Sequence, residues 1–544
     1  MDALIQKIKL FDDVTLRDIA GPSIVSAVRE SYQTDSQSVL AEIICMEHGT
    51  SILDKLRIRD NIIDVSSKSD IESLANAVGI NFSNRIQTAH KLHTYFRSYT
   101  ETKSIVFAEW LLLPSEYCKK SLIDERNDRE TITIRHGQDA VLKGYLHGYQ
   151  KNVKDQIQQK LKHSGARAMV QMPTGSGKTY TALEAAVDTL REPFYRSFVV
   201  WFVHSNELAE QALQSFKSLW QIKGDRELDV LRLFSTFVAD FDKSPMGGVV
   251  FASYDIVSSI LNNPNDQRHG QIKSLIGRTE FVIVDEAHSG AAETYSECIH
   301  EFVKDRKTRL LGLSATPFRE DDQVEGELMS LFDGTLISLR DNENNVIDDP
   351  VLYLQKLGFL SSIKVITLET NIVCTQNNEN GMLKELASDG IRNEKILKQI
   401  NTAVEVGDQT LVFACTKDHV KALYILCKKE GLNVAFITGD VPQATRLKIL
   451  DDFKEGVINV LINLEILSTG IDIPSLNRLI MTRPVRSPIL YSQMVGRALR
   501  GPLNGGNACN TIVNVLDNLN HFPGINGLFN SFSTRWERTN ADLL

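Results

Sequence analysis

From residue 1 to about residue 140, apolar positions recur mostly every three or four residues. Two such sets are Ile24, Val25, Val28 and Leu40, Ile43, Ile44. This spacing places apolar side chains on one face of a helix and predicts amphipathic helices. The polar stretch 124–130 indicates a surface loop or linker near the end of this segment. We therefore predict a mainly helical accessory domain over residues 1–140.

After about residue 141 the pattern changes to short apolar runs that alternate with longer amphipathic segments. Such alternation is typical of buried parallel strands joined by helices. The predicted strands form two series: 168–172, 198–203, 248–252, 281–284 and 310–313, then 410–414, 433–437, 459–463, 478–481 and 511–516. A polar stretch at 340–349 separates the two series. The fold class is therefore α/β, with two parallel-sheet domains in tandem over residues 141–345 and 346–544.

Composition agrees with a folded chain of three or four domains but does not indicate a partner. The chain has 544 residues, of which 42% are hydrophobic and 24% charged. Such a mixture excludes disordered, collagen-like and coiled-coil classes. Lys and Arg number 60 against 69 Asp and Glu, so the net charge is −9. Residues 1–140 hold 17 basic and 21 acidic residues (17 − 21 = −4), so they form no basic arm for nucleic acid.

Seven cysteines are scattered without a Cys-x-x-Cys pair. This pattern argues against a zinc site and against a disulfide framework, and it fits a reducing compartment. The first residues include acidic side chains, unlike a signal peptide, and uninterrupted apolar runs stay short. We expect a cytoplasmic protein without a membrane partner. Its oligomeric state does not follow from the sequence.

The segment Met-Pro-Thr-Gly-Ser-Gly-Lys-Thr at 172–179 follows the first predicted strand. Its loop residues are Thr174, Gly175, Ser176 and Gly177, and glycines let backbone N–H groups approach phosphates at the start of a helix. Lys178 would meet the β- and γ-phosphates, and Thr179 would meet Mg²⁺. Met172 stands where the general pattern has its first glycine, so a chance glycine-rich turn is the alternative interpretation.

A second motif begins 107 residues beyond Lys178, where an apolar strand ends in Asp285-Glu286-Ala-His288. The carboxyl ends of strands are where α/β sheets place their sites. We predict that Asp285 is the metal partner and that Glu286 orients and deprotonates the attacking water. The alternative is a solvated acidic turn. Together the two motifs predict hydrolysis of a nucleoside triphosphate with Mg²⁺.

With these residues in order, the chain over residues 141–517 resembles superfamily 2 helicases and translocases. The Asp-Glu-Ala-His tetrapeptide resembles the DEAH type, in the group of DNA translocases from restriction and repair systems. The resemblance implies two RecA-like domains and ATP as the nucleotide. It also implies that Gln150, in Leu-His-Gly-Tyr-Gln at 146–150, reads the adenine base. A surface helix start is the alternative for Gln150.

The resemblance further implies contacts to the backbone of a nucleic-acid strand. Ser205 and Ser253 would hold phosphates from the first domain, and Thr416 and Thr438 would hold them from the second. Hydroxyls, backbone amides and helix N-termini can bind phosphates without a large excess of Lys and Arg, which explains the missing basic patch. Ordinary capping of a strand end is the alternative for Ser205 and Ser253.

Two further motifs are expected to couple the ATP site to domain closure. In Ser-Ala-Thr-Pro-Phe-Arg at 314–319, the resemblance implies that Ser314 and Thr316 bond the acidic motif. The Pro-Phe-Arg extension favours DNA over RNA by analogy. In Gln-Met-Val-Gly-Arg-Ala-Leu-Arg at 493–500, Gln493 is the third residue expected to couple the ATP site to domain closure.

The spacing of Arg497 and Arg500 places them near each other on a helix start or first turn. By resemblance both are arginine fingers that reach the γ-phosphoryl group when the domains close. Surface ion pairs are the alternative. The resemblance also implies that the backbone at Gly470 lies close to both the nucleotide site and the nucleic-acid site. It further implies that Asp472 contacts the ribose.

Two functions share these motifs. The first is an ATP-dependent helicase or translocase on nucleic acid, with DNA favoured, in repair or antiphage defence. The second is a nucleic-acid-stimulated ATPase that serves as a sensor or switch, with residues 1–140 contacting a protein partner. Strand displacement separates them, because a switch would hydrolyse ATP without moving along the strand.

Overall fold

The computed structural model describes residues 2–518 except 23, 27–28, 30–35, 120–126, 135–145, 193–196, 236–239, 288–292, 306, 316–329, 342, 377, 442, 465–472, 474 and 486–487. The strands are β1 (Arg129–Ile132), β2 (Arg167–Gln171), β3 (Phe198–Val203), β4 (Leu228–Leu233), β5 (Gly248–Ser253), β6 (Thr279–Val284), β7 (Arg309–Ser314), β8 (Leu336–Ile337), β9 (Ser362–Val373), β10 (Gln409–Phe413), β11 (Val434–Ile437), β12 (Val460–Asn463), β13 (Leu476–Met481) and β14 (Cys509–Asn518).

The helices fall into three groups along the chain. Those before β1 are Asp2–Ile8, Asp13–Ala20, Gln37–His48, Leu56–Val65, Lys68–Ala77, Arg85–Arg97 and Glu101–Trp110. Those that accompany the first sheet are Gly148–Lys160, Lys178–Leu190, Asn206–Lys223, Tyr254–Leu261, His269–Gly277 and Glu293–Val303. Those that accompany the second sheet are Pro350–Lys356, Glu379–Ser388, Gly390–Glu405, Lys417–Lys429, Gln443–Lys454 and Pro488–Gly496.

The strands form two sheets, each built almost entirely from parallel pairs. The first has the order β1-β4-β5-β3-β6-β7-β2-β8, and the second has the order β11-β12-β10-β13-β14-β9. The central strands β3 and β5 are buried along their whole length, because helices cover both faces of a parallel sheet. We call the two sheets with their helices the first and second domains.

One strand lies upstream of the range predicted for the first domain. β1 pairs antiparallel with β4, with Arg129 opposite Leu231. The buried Arg232 of β4 holds this edge in place through hydrogen bonds to Glu210 and Glu130. The first sheet therefore begins within the last part of the segment 1–140.

The residues before β1 form a helical region with its own apolar core, as predicted. This region packs against the second domain, where the helix Gln37–His48 lies on the helix Lys417–Lys429. Ile425 of the second domain belongs to the core of the helical region. Lys421 forms an ion pair of 2.8 Å with the buried Glu47. Within the described residues, no helix combines the length and the apolar character needed to cross a membrane.

Candidate functional site

The phosphate loop joins β2 to the helix Lys178–Leu190. Gly175 and Gly177 adopt φ angles of +81° and +82°, which side chains rarely tolerate. A Cβ atom on Gly177 would also fall 2.3 Å from Nε2 of Gln150. Both glycines are therefore required by the backbone geometry of this loop. Gly177 forms the N-cap of the helix, so backbone N–H groups of the first turn face the cavity described below.

Gln150 and Tyr149 support this loop from the helix Gly148–Lys160. The Tyr149 hydroxyl and Nε2 of Gln150 both donate to the carbonyl oxygen of Ser176, at 2.8 and 2.9 Å. Oε1 of Gln150 accepts the backbone N–H of His147 at 2.9 Å. Gln150 is buried in the first turn of its helix and lines the cavity. It is thus not a surface helix start.

Lys178 and Glu286 meet at the bottom of the cavity. Nζ of Lys178 lies 3.5 Å from Oε1 of Glu286, and both side chains are buried. Glu286 follows β6 with a φ angle of +49°, a left-handed conformation that costs energy for a residue with a Cβ atom. The acidic motif is therefore a buried, strained element and not a solvated turn.

Asp285 and Thr179 form the adjoining pair, with Oγ1 of Thr179 3.4 Å from Oδ2 of Asp285. Burial, followed by the negative charge of Glu286, raises the pKa of Asp285 to about 6, and Lys178 opposes this shift. One hydroxyl and one carboxylate oxygen are ligands that suit Mg²⁺ when phosphate and water complete its shell. Within the described residues, no group of three or more His, Cys, Asp or Glu side chains is placed to hold a metal ion.

Both domains line one cavity of about 700 Å³ around these residues. The first domain contributes the phosphate loop, Gln150, Asp285 and Glu286. The second contributes Gly496, Arg497, Arg500, Leu503 and Asn504. The phosphate loop and the arginine segment, more than 300 residues apart in the chain, thus face the same space.

The two domains touch at the phosphate loop itself. A Cβ atom on Gly496 would lie 2.4 Å from Cγ2 of Thr174, and one on Gly175 would lie 3.3 Å from Cδ2 of Leu360. The helix Pro488–Gly496 ends at this contact, so Arg497 and Arg500 follow a helix end. The prediction that they stand on a helix start or first turn is wrong, because the helix ends at Gly496 and both arginines follow it.

Backbone hydrogen bonds fix the segment that carries the two arginines. The carbonyl oxygen of Leu499 accepts the N–H of Ser361 at 2.8 Å, and that of Arg500 accepts the Ser361 hydroxyl. Nδ2 of Asn510 donates to the carbonyl oxygen of Ala498 at 2.7 Å. This segment is therefore tied to β9 and β14 of the second sheet.

The predicted coupling residues are only partly described. Ser314 ends β7, is buried, and accepts the N–H of Met172 at 3.1 Å through its carbonyl oxygen. Gln493 is buried in the last turn of the helix Pro488–Gly496. Thr316, Gly470 and Asp472 lie outside the described residues.

The four residues predicted to hold nucleic acid all follow the carboxyl ends of parallel strands. Ser205 comes after β3, and Ser253 ends the neighbouring β5 opposite Val203. Thr416 and Thr438 follow β10 and β11, which flank β12 in the second sheet. The hydroxyls of Ser205 and Thr416 cap helices by accepting the N–H groups of Leu208 and His419, at 3.2 and 3.1 Å. Ser205 is therefore the N-cap of the helix Asn206–Lys223.

An ion pair that the sequence did not predict joins the two domains near the carboxyl ends of these strands. Arg446 of the helix Gln443–Lys454 contacts Glu207, two residues after Ser205. Both side chains are largely buried, and Arg446 also donates to the carbonyl oxygen of Val441 at 3.2 Å. Next to it, burial lowers the pKa of His204, which keeps this imidazole neutral.

Two protein families match this chain, one in each of the two domains. Residues 143–319 match the family described as "Type III restriction enzyme, res subunit". Residues 392–502 match "Helicase conserved C-terminal domain". The two matches contain the phosphate loop and the arginine segment, respectively.

A similar curated protein is "Putative ATP-dependent helicase IRC3" of Saccharomyces cerevisiae, 27% identical over 366 residues. The match covers 65% of this chain and 49% of the relative, so the chain spans about half the length of that protein.

Two solved structures show the same fold. One is S. cerevisiae Dbp5, as a variant bound to RNA and ADP BeF3, with a TM-score of 0.50, 20% identity, and coverage of 72% of this chain and 92% of Dbp5. The other is the Mycobacterium smegmatis helicase Lhr bound to ssDNA and AMP-PNP, with a TM-score of 0.51, 18% identity, and coverage of 71% and 48%.

These findings confirm two RecA-like parallel-sheet domains preceded by a helical region. The two family matches follow the order of the two domains, the first over residues 143–319 and the second over residues 392–502. The helicase-family domains and the helicase relatives support an ATP-hydrolysing enzyme.

Proposed function

We propose that this chain is an ATP-dependent helicase or translocase that couples ATP hydrolysis to movement along a nucleic-acid strand. The observation that carries the proposal is the shared cavity, in which Lys178 of one domain and Arg497 and Arg500 of the other face the same space. A site completed by two domains links the state of the nucleotide to the distance between those domains.

Within this proposal the residues of the first domain bind and activate the nucleotide. The backbone N–H groups of the phosphate loop and Lys178 hold the phosphates, while Thr179 and Asp285 hold the metal. Mg²⁺, when bound, neutralises phosphate charge and orients the triphosphate. Glu286 lies beside Lys178 and accepts the proton of the attacking water. ATP displaces the Lys178–Glu286 contact, because the phosphates take over the ammonium group.

The second domain supplies the groups that make hydrolysis depend on domain closure. Arg497 and Arg500 stabilise the charge that develops on the γ-phosphoryl group. Thr316 couples the ATP site to domain closure, the backbone at Gly470 lies close to the nucleotide, and Asp472 contacts the ribose. The first domain, through Ser205 and Ser253, and the second domain, through Thr416 and Thr438, then bind and release the strand in turn. This alternation moves the protein along the strand.

We infer that DNA is preferred over RNA and that the chain acts in DNA repair or antiphage defence. Support comes from the match to the type III restriction enzyme family and from the Ser-Ala-Thr-Pro-Phe-Arg motif at 314–319. The solved relatives include one bound to RNA and one bound to ssDNA, so substrate choice needs its own test. Seven unpaired thiols support the prediction of a cytoplasmic protein.

The second candidate is a nucleic-acid sensor in which ATP changes the position of residues 1–140 for a protein partner. One observation favours it: the helical region packs on the helix Lys417–Lys429, which begins next to Thr416. Movement of the second domain would therefore carry the helical region with it.

One experiment tests both candidates. ATP hydrolysis is measured with single-stranded DNA, duplex DNA and RNA, beside strand displacement on a forked duplex, with Lys178→Ala as the inactive control. We expect DNA to stimulate hydrolysis most strongly and strand displacement or translocation to accompany it. Stimulation without movement would favour the switch. Undiminished hydrolysis by Lys178→Ala would overturn the site assignment.

A further inference from the structure

A buried histidine contacts the turn that carries Thr416 in the second domain. His419 lies in the first turn of the helix Lys417–Lys429, and its side chain is fully buried. Nδ1 of His419 accepts the backbone N–H of Cys415 at 3.1 Å. The backbone N–H of His419 donates to the hydroxyl of Thr416, also at 3.1 Å. One residue therefore holds both the backbone before Thr416 and the hydroxyl of Thr416 itself.

The other ring nitrogen fixes the tautomer of His419. Nε2 lies 2.9 Å from Oδ1 of Asn393, and Nδ2 of Asn393 donates to the carbonyl oxygen of Ala387 at 2.9 Å. Because Oδ1 only accepts, Nε2 carries the proton, and Nδ1 is left to accept from Cys415. Burial, followed by the positive charge of Arg392, lowers the pKa of His419 well below its ordinary value. The imidazole is therefore neutral, with a defined partner for each nitrogen.

Cys415 is also held from the neighbouring strand. Its Sγ donates to the carbonyl oxygen of Thr482, directly after β13, at 3.2 Å. The Thr482 hydroxyl donates to the carbonyl oxygen of Phe413 at 2.7 Å. The same Thr482 carbonyl oxygen accepts from the buried Arg392, whose guanidinium forms two hydrogen bonds to Asp517, at 2.8 and 2.9 Å. The sheet thus fixes Cys415 on one side, and His419 fixes it from the helix.

His419 differs from the other buried side chains of its helix, which are apolar. Val420 and Leu423, for example, belong to the core of the second domain. Burying a polar side chain costs free energy unless it is hydrogen-bonded. A leucine at position 419 would fill a similar volume without that requirement, but it would leave the Cys415 N–H without its acceptor. The property that His419 adds is therefore the hydrogen bond that fixes the turn before Thr416.

We propose that His419 is a positioning residue for nucleic-acid binding and that it acts through Thr416. This inference rests on the proposed function, in which Thr416 holds a phosphate of the bound strand. Thr416 is only half-buried, at the carboxyl end of β10. With Cys415 fixed by His419, the Thr416 hydroxyl and the start of the helix keep one position relative to the sheet. A phosphate then meets groups that are already in place, which raises affinity without changing the hydrolysis step.

The test measures the dissociation constants for single-stranded DNA and RNA oligonucleotides, together with ATP hydrolysis. In His419→Leu we expect the dissociation constant to rise about three- to tenfold, the value of one hydrogen bond. The kcat for ATP at saturating nucleic acid should change less than about twofold, because the loss affects binding and not the chemical step. His269→Leu is the control, because His269 also contacts a backbone oxygen, that of Ile260 at 3.1 Å, but lies in the first domain.

Two further variants separate positioning from folding. His419→Asn keeps an acceptor near the position of Nδ1, so it should recover most of the affinity that His419→Leu loses. Thr416→Val already lacks the hydroxyl, so adding His419→Leu to it should cause less than about twofold further loss. Thermal unfolding of each variant reports whether it folds.

Unchanged affinity in His419→Leu, or its full loss repeated in the Thr416→Val background, would overturn the positioning role. A kcat that falls as far as the affinity would indicate damage to the fold and would also overturn it. If His419→Leu does not fold, a folded His419→Asn that binds as weakly as Thr416→Val would give the same answer. A wild-type chain that binds neither DNA nor RNA would overturn the proposed function as well, and this result is distinguishable because it does not depend on the variants.

Discussion

Gly496 and Thr174 lie in such close contact that any side chain on Gly496 would overlap the phosphate loop. A Cβ atom at this glycine would lie 2.4 Å from Cγ2 and 2.5 Å from Cβ of Thr174. Gly496 directly precedes Arg497, so this contact sets how near the arginine segment comes to the phosphate loop. The small residue is needed because two backbones approach each other here.

Gly496→Ala should therefore separate the arginine segment from the loop and lower the ATP hydrolysis rate at least about tenfold. The melting temperature should fall as well, because one apolar cluster runs through both domains and includes Val495 and Leu499 beside this contact. Steady-state hydrolysis and thermal unfolding measure the two effects. Gly270→Ala is the control, since a Cβ atom there meets nothing within 4 Å. A normal rate in Gly496→Ala would show that this approach does not matter for hydrolysis.

If Asp285 holds Mg²⁺ as proposed, its raised pKa predicts that hydrolysis depends on both pH and the Mg²⁺ concentration. Its folded-state pKa of about 6 lies above the ordinary value because of burial and then Glu286. Only the deprotonated carboxylate binds Mg²⁺, so protons compete with the metal as the pH falls below about 6. We expect the Mg²⁺ concentration for half-maximal hydrolysis to rise about tenfold per pH unit in that range. A constant value from about pH 5 to pH 7 would contradict this role, and Asp285→Asn should remove the activity.

The ion pair between Glu207 and Arg446 predicts an interaction across the domains that can be measured by charge exchange. Arg446→Glu places two carboxylates together in a largely buried contact, so nucleic-acid-stimulated hydrolysis should fall at least about fivefold. Glu207→Arg should do the same, and the double variant should recover most of the loss. Additive losses in the double variant would mean that the two side chains act independently.

The ion pair between Lys421 and Glu47 predicts a pH-dependent attachment of the helical region. Burial raises the pKa of Glu47, and Lys421 opposes this shift. Below the ordinary pKa of a glutamate the carboxyl is protonated in both the folded and unfolded states, so Lys421→Met should cost little there. As the pH rises, the ionised Glu47 is left buried without Lys421, and the loss should reach about 2 kcal/mol near pH 8.

Thermal unfolding at several pH values measures this effect. Lys429→Met, at the exposed end of the same helix, is the control. A loss of stability for Lys421→Met that is independent of pH would show that Glu47 does not need its partner.

The sequence predicted the buried parallel strands well, because continuous apolar runs at such places as Phe198–Val203 have few other uses. It missed β4, whose six residues include Asp229 and Arg232. It also missed β9, an edge strand whose residues over Ser362–Val373 are half-buried or exposed apart from Ile363. Edge strands carry more polar residues, so their local pattern is weaker.

The residues that line the cavity from the first domain were also predictable in part, since Lys178, Asp285 and Glu286 occur in short motifs. The contacts between domains were not. Arg446 and Glu207 are 239 residues apart, and the link between Asn504 and His147 spans 357 residues. No local spacing encodes such pairs, because they depend on how two folded domains meet.

The most direct test of the account is the effect of Arg497→Ala on ATP hydrolysis and on ATP binding, measured together at saturating nucleic acid. Arg497 lines the cavity from the second domain, whereas the phosphate loop belongs to the first. If the second domain completes the site, hydrolysis should fall at least about a thousandfold while the dissociation constant for ATP changes less than about tenfold. A variant that hydrolyses ATP at the normal rate would contradict a site shared by the two domains.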